Sequence, residues 1–221
     1  MYELARDVYL LRGTPDYLIN AYVSGYVLLD AGTRIAQAGI LRQLKSHRIT
    51  AHALTHVHAD HQGASKAVCE TFKVPLWCPE NEIKAMESGD LHSQIPTNVI
   101  TRIQRVVWAG PGHPVEKALR EGDMVAGFTI LDAPGHSPGH LAYWREVDRV
   151  LILGDVARNI DFFTLREGLG EPPGIFTTNA VQNRQSMQKL AALKPRLVCF
   201  GHGKPADGAK FVDFVQKMAK A

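Results

Sequence analysis

The chain has 221 residues, enough to bury the core of one full domain, and its 45% hydrophobic and 21% charged content is that of an ordinary globular protein. A net charge of +3, from 25 Lys and Arg against 22 Asp and Glu with no block of like charge, gives no electrostatic footprint for nucleic acid. No apolar run reaches transmembrane length, and Met1 to Asp7 lacks the basic-then-apolar pattern of a signal peptide, so the expectation is a cytoplasmic protein with no membrane partner. Cys69, Cys78 and Cys199 are odd in number, without metal-site spacing, and sit in apolar surroundings, so they read as reduced core residues.

In chain order, Val8 to Leu11 reads as a first strand, and Tyr17 to Val23 with Tyr26 to Leu29 as a hairpin around Ser24-Gly25. A helix over Ile35 to Ser46 puts Ile40, Leu41 and Leu44 on one face. Ala51 to Leu54 is the next strand, Gly63 to Phe72 a helix, Val74 to Cys78 a strand and Pro79 to Glu87 a helix. Val99 to Trp108 fits helix and strand equally. Phe128 to Leu131, Leu141 to Trp144, Val150 to Leu153 and Leu197 to Phe200 read as strands, the last two apolar enough for burial on both faces. Residues 157–178 form a long Gly- and Pro-rich connection of the kind that often binds ligands. A helix over Thr178 to Leu193 and a terminal helix carrying Phe211, Phe214, Val215 and Met218 complete the reading. No linker divides the chain, so residues 1–221 are expected to form one domain.

The chemistry concentrates in Thr55-His56-Val57-His58-Ala59-Asp60-His61, where three imidazoles and a carboxylate fall within six positions. Imidazole with carboxylate suits zinc, iron or manganese, whereas magnesium or calcium would favour an all-oxygen set. His56 and His58 sit two apart, so an extended backbone turns both rings to one side, while Asp60 and His61 must diverge. A solvated His-rich tract usually lies in low-complexity sequence, but this one follows an apolar strand and precedes a helix, where α/β folds place their sites. Three later positions repeat the pattern of apolar strand, glycine, then ligand type: His136, Asp155 and His202.

The heptapeptide resembles the HxHxDH signature of the metallo-β-lactamase-fold hydrolases, and the order of His136, Asp155 and His202 is similar to the glyoxalase II-like branch. The resemblance implies an α/β (α+β) fold, the αββα sandwich of two mixed β-sheets flanked by helices. It implies one metal on His56, His58 and His136, a second on Asp60, His61 and His202, and Asp155 bridging them. The ions would be zinc, with iron or manganese as alternatives. The implied activity is hydrolysis of a small ester, thioester or lactone by a metal-bridging hydroxide, with Asp60 orienting the nucleophile and carrying its proton to the leaving group. No Gly-x-Ser-x-Gly elbow offers a competing nucleophile.

Departures are small: Ser137 stands where Thr is common, and Ala64 where a second Gly is common. Gly154-Asp155 looks more like the thioesterase, lactonase and phosphodiesterase branches than like a β-lactamase, so a β-lactamase-type amide hydrolase is a lesser alternative. A second alternative is an oxidoreductase similar to the persulfide dioxygenases, with one iron on His56, His136 and Asp155. Only a short tail follows His202, without the helical region by which glyoxalase II grips glutathione, and no Tyr follows Asp155 as in many lactonases. Phe162, Phe163 and Arg158 fit either the substrate pocket or loop packing and a solvated charge, and Trp108 fits core packing before the opposite wall of the pocket. The partner expected is a small molecule. The other five histidines read first as structural: His47 and His92 as surface residues, His52 as a satisfied core residue, His113 as a turn residue, and His140 as a loop residue whose alternative role is to orient a ligand.

Overall fold

A computed structural model describes residues 1–13, 15–162 and 164–220. The first half supplies strands β1 (Tyr2–Ala5), β2 (Val8–Leu10), β3 (Tyr22–Ser24), β4 (Val27–Leu29), β5 (Ala51–Ala53), β6 (Leu76–Pro79) and β7 (Lys117–Leu119). Helices α1 (Gln37–Leu44), α2 (Ser65–Phe72), α3 (Ile83–Ser88) and α4 (Val99–Val107) lie between them. The seven strands form one sheet in sequence order, antiparallel from β1 to β4 and parallel from β4 to β7. The second half supplies β8 (Met124–Val125), β9 (Phe128–Asp132), β10 (Leu141–Arg145), β11 (Val150–Ile152), the short ribbon β12 (Arg158–Asn159) and β13 (Leu169–Gly170), then α5 (Ala180–Ala192), β14 (Leu197–Cys199), β15 (Ala206–Asp207) and α6 (Gly208–Met218). Its sheet runs β15-β14-β11-β10-β9-β8, with β11 and β14 parallel and the other neighbours antiparallel.

Strand alternation decides which residues fill which layer. Along β10, Leu141 and Tyr143 point into the core between the sheets, while Ala142 and Trp144 point out to the core under α5 and α6. Along β4, Val27 and Leu29 face the inter-sheet core, and Leu28 joins Ile40, Leu44 and Val68 under α1 and α2. Because both faces are covered, central strands such as β4, β11 and β14 carry apolar residues at every position rather than at every second one. The result is the four-layer αββα sandwich.

Several boundaries differ from the sequence expectation. The strand expected from Tyr17 begins at Tyr22, because Tyr17 holds φ +66 within a turn. β1 was not expected; it is a partly exposed edge strand with a register shift, and so has no clean alternation. Val99–Val107 is helical, started by Asn98, whose side chain accepts from the Thr101 N–H while Thr101 Oγ1 accepts from the Asn98 N–H. The long connection after Asp155 is partly ordered as the ribbon β12–β13. The three cysteines are buried and unpaired, and no helix among the described residues is long and apolar enough to cross a membrane.

His52, on β5, is fully buried between the Leu28 carbonyl and Ser65 Oγ, at 3.2 and 2.8 Å. Burial lowers its pKa from 6.5 to about 4. The unfolded chain takes up this proton near 6.5 and the folded chain only near 4, so the unfolded state binds more protons in between and stability rises with pH. Unfolding free energy should therefore fall by about 3 kcal/mol as pH drops through that window. Urea unfolding against pH should show a shallower dependence in His52→Asn, and identical slopes in the two proteins would rule this out.

Candidate metal centre

Strands from both sheets end at one rim, and each leads within four residues to a polar side chain of the site. β4 leads to Asp30, β5 to the segment from Thr55 to His61, β9 to His136, β11 to Asp155 and β14 to His202. Ligand-type atoms of His56, His58 and His136 lie within 4.8 Å of one another, as do those of Asp60, His61 and His202, and those of His56, His61 and Asp155. All seven residues singled out from the sequence are thus brought together. Asp155 Oδ2 sits among them, 3.0 Å from His202 Nε2 and 3.4 Å from both His61 Nε2 and His136 Nε2. Close packing requires glycine here: a Cβ on Gly201 would lie 1.9 Å from Asp155 Oδ1.

Each of the five histidines has one ring nitrogen committed to an oxygen, which determines the tautomer and leaves the other nitrogen facing inward. Thr55 Oγ1 donates to Asp30 Oδ2, so its lone pair accepts from His56 Nδ1 at 2.9 Å. His58 Nε2 donates to the Gln94 carbonyl at 2.8 Å. His61 Nδ1 donates to Asp30 Oδ2 at 2.9 Å, and His202 Nδ1 to the Leu18 carbonyl. Thr177 Oγ1 donates to the Pro173 carbonyl and accepts from His136 Nδ1 at 3.3 Å.

The inward atoms are short of partners. His56 Nε2, His61 Nε2 and Asp155 Oδ1 are buried without a hydrogen bond among the described residues. His136 Nε2 and His58 Nδ1 face each other at 3.0 Å, where two lone pairs require a cation or proton between them. Buried polar atoms are costly when unpaired, so this donor set fits divalent metal ions of the imidazole-and-carboxylate class.

Electrostatics point the same way. Burial pushes Asp155 up, but His202 and His61 outweigh it and hold its carboxyl well below the usual range. Asp60 behaves likewise through its hydrogen bond with His202, 3.3 Å away, and the charge of His61. Burial lowers His202, yet Asp155 and Asp60 raise it to about 10; His61 is raised well above its ordinary value by Asp155 and Asp30 against burial. His56 and His136 are depressed by burial and by the neighbouring imidazoles. Two ionised carboxylates thus draw positive charge into a buried place, which protons or metal ions can supply.

Residues beyond those seven shape the site. Asp30, at φ +60 and buried, accepts from the Thr55 N–H at 2.8 Å, from Thr55 Oγ1 and from His61 Nδ1. Its signal is present in the sequence, as an acid directly after an apolar strand. Glu82, fully buried, accepts from the Val57 and Gly139 N–H groups and from Ser137 Oγ, so it ties the loop after β5 to the loop after β9. Burial pushes its carboxyl up against these three donors. Nothing local in its helical stretch marked it.

His140 is an orienting neighbour: its Nε2 accepts from the Asp155 N–H at 3.1 Å, and its ring stacks on His56 at 4.7 Å. A cleft of about 380 Å³ opens over the site, and Arg158, Phe162 and Trp108 line it. Trp108 also packs against the core under the first sheet. Phe163 lies outside the described residues. His92 is exposed and His47 is half-buried, its ring set edge-on against Tyr9 at 5.3 Å.

A family model described as the Metallo-beta-lactamase superfamily matches residues 11–202. Over 214 residues the chain is 28% identical to the probable metallo-hydrolase YflN of Bacillus subtilis (strain 168), covering 88% of this chain and 81% of the relative. It is 28% identical over 151 residues to a hydroxyacylglutathione hydrolase of Bdellovibrio bacteriovorus, covering 66% of this chain and 46% of that longer protein. Among solved structures, TTHA1623 in a di-iron-bound form aligns with a TM-score of 0.64 at 26% identity, over 91% of this chain and 89% of that one.

Proposed function

The chain belongs to the metallo-beta-lactamase superfamily and is a metal-dependent hydrolase; from that premise we propose that it cleaves a small ester, thioester or lactone at a dinuclear centre. The observation that carries this reading is the convergence of two imidazole-rich groups on Asp155, with buried nitrogens and a carboxylate oxygen left unpartnered. His56, His58 and His136 would hold one ion, Asp60, His61 and His202 the other, with Asp155 shared. Zinc suits this set first, and iron, which a structural neighbour is described as binding, or manganese also fits. Bound there, the ions would acidify a water and polarise the scissile carbonyl.

The rest of the work falls to side chains. Asp60 lines the cleft beside His202, where it orients the attacking water and carries its proton to the leaving group. Asp30 and Thr55 keep His56 and His61 in the tautomers that aim their Nε2 lone pairs inward. The apolar side chains of the cleft lower the polarity around the site, which strengthens each polar interaction beside them. Residues 1–221 act as one domain in this reading. The three unpaired cysteines support a reducing compartment such as the cytoplasm.

Elemental analysis of the purified protein, followed by chelation and reconstitution, is the test. Two ions per chain and hydrolysis that vanishes with chelator and returns with zinc are the expected results. One iron per chain, with oxygen uptake on persulfides, would replace the hydrolase by the dioxygenase reading. No metal after reconstitution would overturn the ligand assignment.

A further inference from the structure

The cleft above the ligand cluster has mostly apolar walls, interrupted by Gln104 and Arg158. Ile95, Ile100, Trp108, Phe162, Ile175 and Phe176 line it. Among the described lining residues, Arg158 carries the guanidinium; it donates to the Glu171 and Ile160 carbonyls and lies over the Phe162 ring at 5.4 Å. Its Nε and Nη1 are thus committed to backbone carbonyls. Apart from the ligand cluster, the polar side chains of the described lining are Gln104 and Arg158, so most of the wall can pair only with an apolar substituent.

The apolar surface continues outward. Ile100 lines the cleft and is still 49% exposed, and Ile175 is 47% exposed. Behind Ile100, α4 presents Val99, Ile103 and Val106 to solvent, spaced four and three residues apart on one face. A helix of a globular domain normally turns such a face to the core. Here Thr101 is its one buried residue, and the apolar face is continuous with the mouth of the cleft.

Resting on the hydrolase reading above, we infer that the substrate class is an uncharged ester, thioester or lactone bearing an extended hydrocarbon chain, which lies along the Ile100–Trp108 side of the cleft and leaves it over α4. In the reaction water adds to the acyl carbon, the acyl–oxygen or acyl–sulfur bond breaks, and the leaving alkoxide or thiolate takes the proton, so no co-reactant besides water is needed.

Two readouts test this on the whole, metal-loaded chain. The first is kcat/KM for p-nitrophenyl acetate, butyrate, hexanoate, octanoate and decanoate, with n-alkyl acetates as the reciprocal series. In one series it should rise roughly threefold per added methylene until the cleft is filled. Ile100→Asp should flatten that rise. The second is binding without turnover: methyl ketones of increasing chain length should perturb tryptophan fluorescence at progressively lower concentration, and Trp108→Phe should abolish the signal. Rising affinity with no ester cleavage would uphold the hydrocarbon site and sink the hydrolase reading. Ester cleavage with flat chain-length profiles in turnover and binding would overturn the hydrocarbon site and leave the hydrolase standing.

Discussion

Asp60→Asn should lower kcat by about 10²–10⁴, the usual contribution of a positioned proton-transfer group. Its carboxylate lines the cleft and stands 3.3 Å from His202 Nε2, the combination of access and polarity that a proton carrier needs. The amide keeps the volume but cannot accept a proton. The fold should survive, because His202 retains Asp155 at 3.0 Å and its own Nδ1 contact to the Leu18 carbonyl. Steady-state kinetics on the best ester, read beside metal content and the melting temperature, check this. Turnover at the native rate in a purified, metal-loaded variant would sink the dinuclear mechanism.

Asp30→Ala should have the larger effect on the protein as a whole. It removes the acceptor of the Thr55 N–H, the Thr55 hydroxyl and His61 Nδ1 at once, all in a buried setting. Removing one partner of a buried charged pair costs about 3–5 kcal/mol, which a marginally stable domain barely tolerates. Loss of the groups that orient ligating imidazoles should also weaken metal binding by about 10–100-fold. Urea unfolding of the metal-free protein measures the first effect and competition with a chromophoric chelator the second. Asp30→Asn separates them, since the amide keeps an acceptor for Thr55 but can turn an N–H toward His61. If both variants bind metal as tightly as the native chain, the orienting role assigned to Asp30 is wrong.

Much of the fold was legible because its strands are short, apolar runs stopped by glycine or a polar residue. Those covered on both faces, such as Val150–Ile152 and Leu197–Cys199, were the plainest. Local reading failed where local signals conflict. Val99–Val107 is rich in β-branched residues yet helical, because the reciprocal Asn98 and Thr101 cap starts the helix. Tyr17 sits in an apolar-looking stretch but turns at positive φ.

By itself, the sequence determined the chemical type of the site: residues that suit metal ligation, each at the end of a strand, with a two-residue spacing that turns His56 and His58 to one side. Spacing of that kind is a property of the backbone and needs no tertiary information. Only the tertiary structure decided which nitrogen of each imidazole faces inward, because the oxygens that choose it come from Asp30, Gln94, Thr177 and Leu18, most of them far away in the chain. It also decided that Glu82 joins two loops, and that α4 turns apolar residues toward a cleft and toward solvent. Those contacts follow from which strands become neighbours, and the pairing of the two sheets is a long-range outcome of packing that no local pattern encodes.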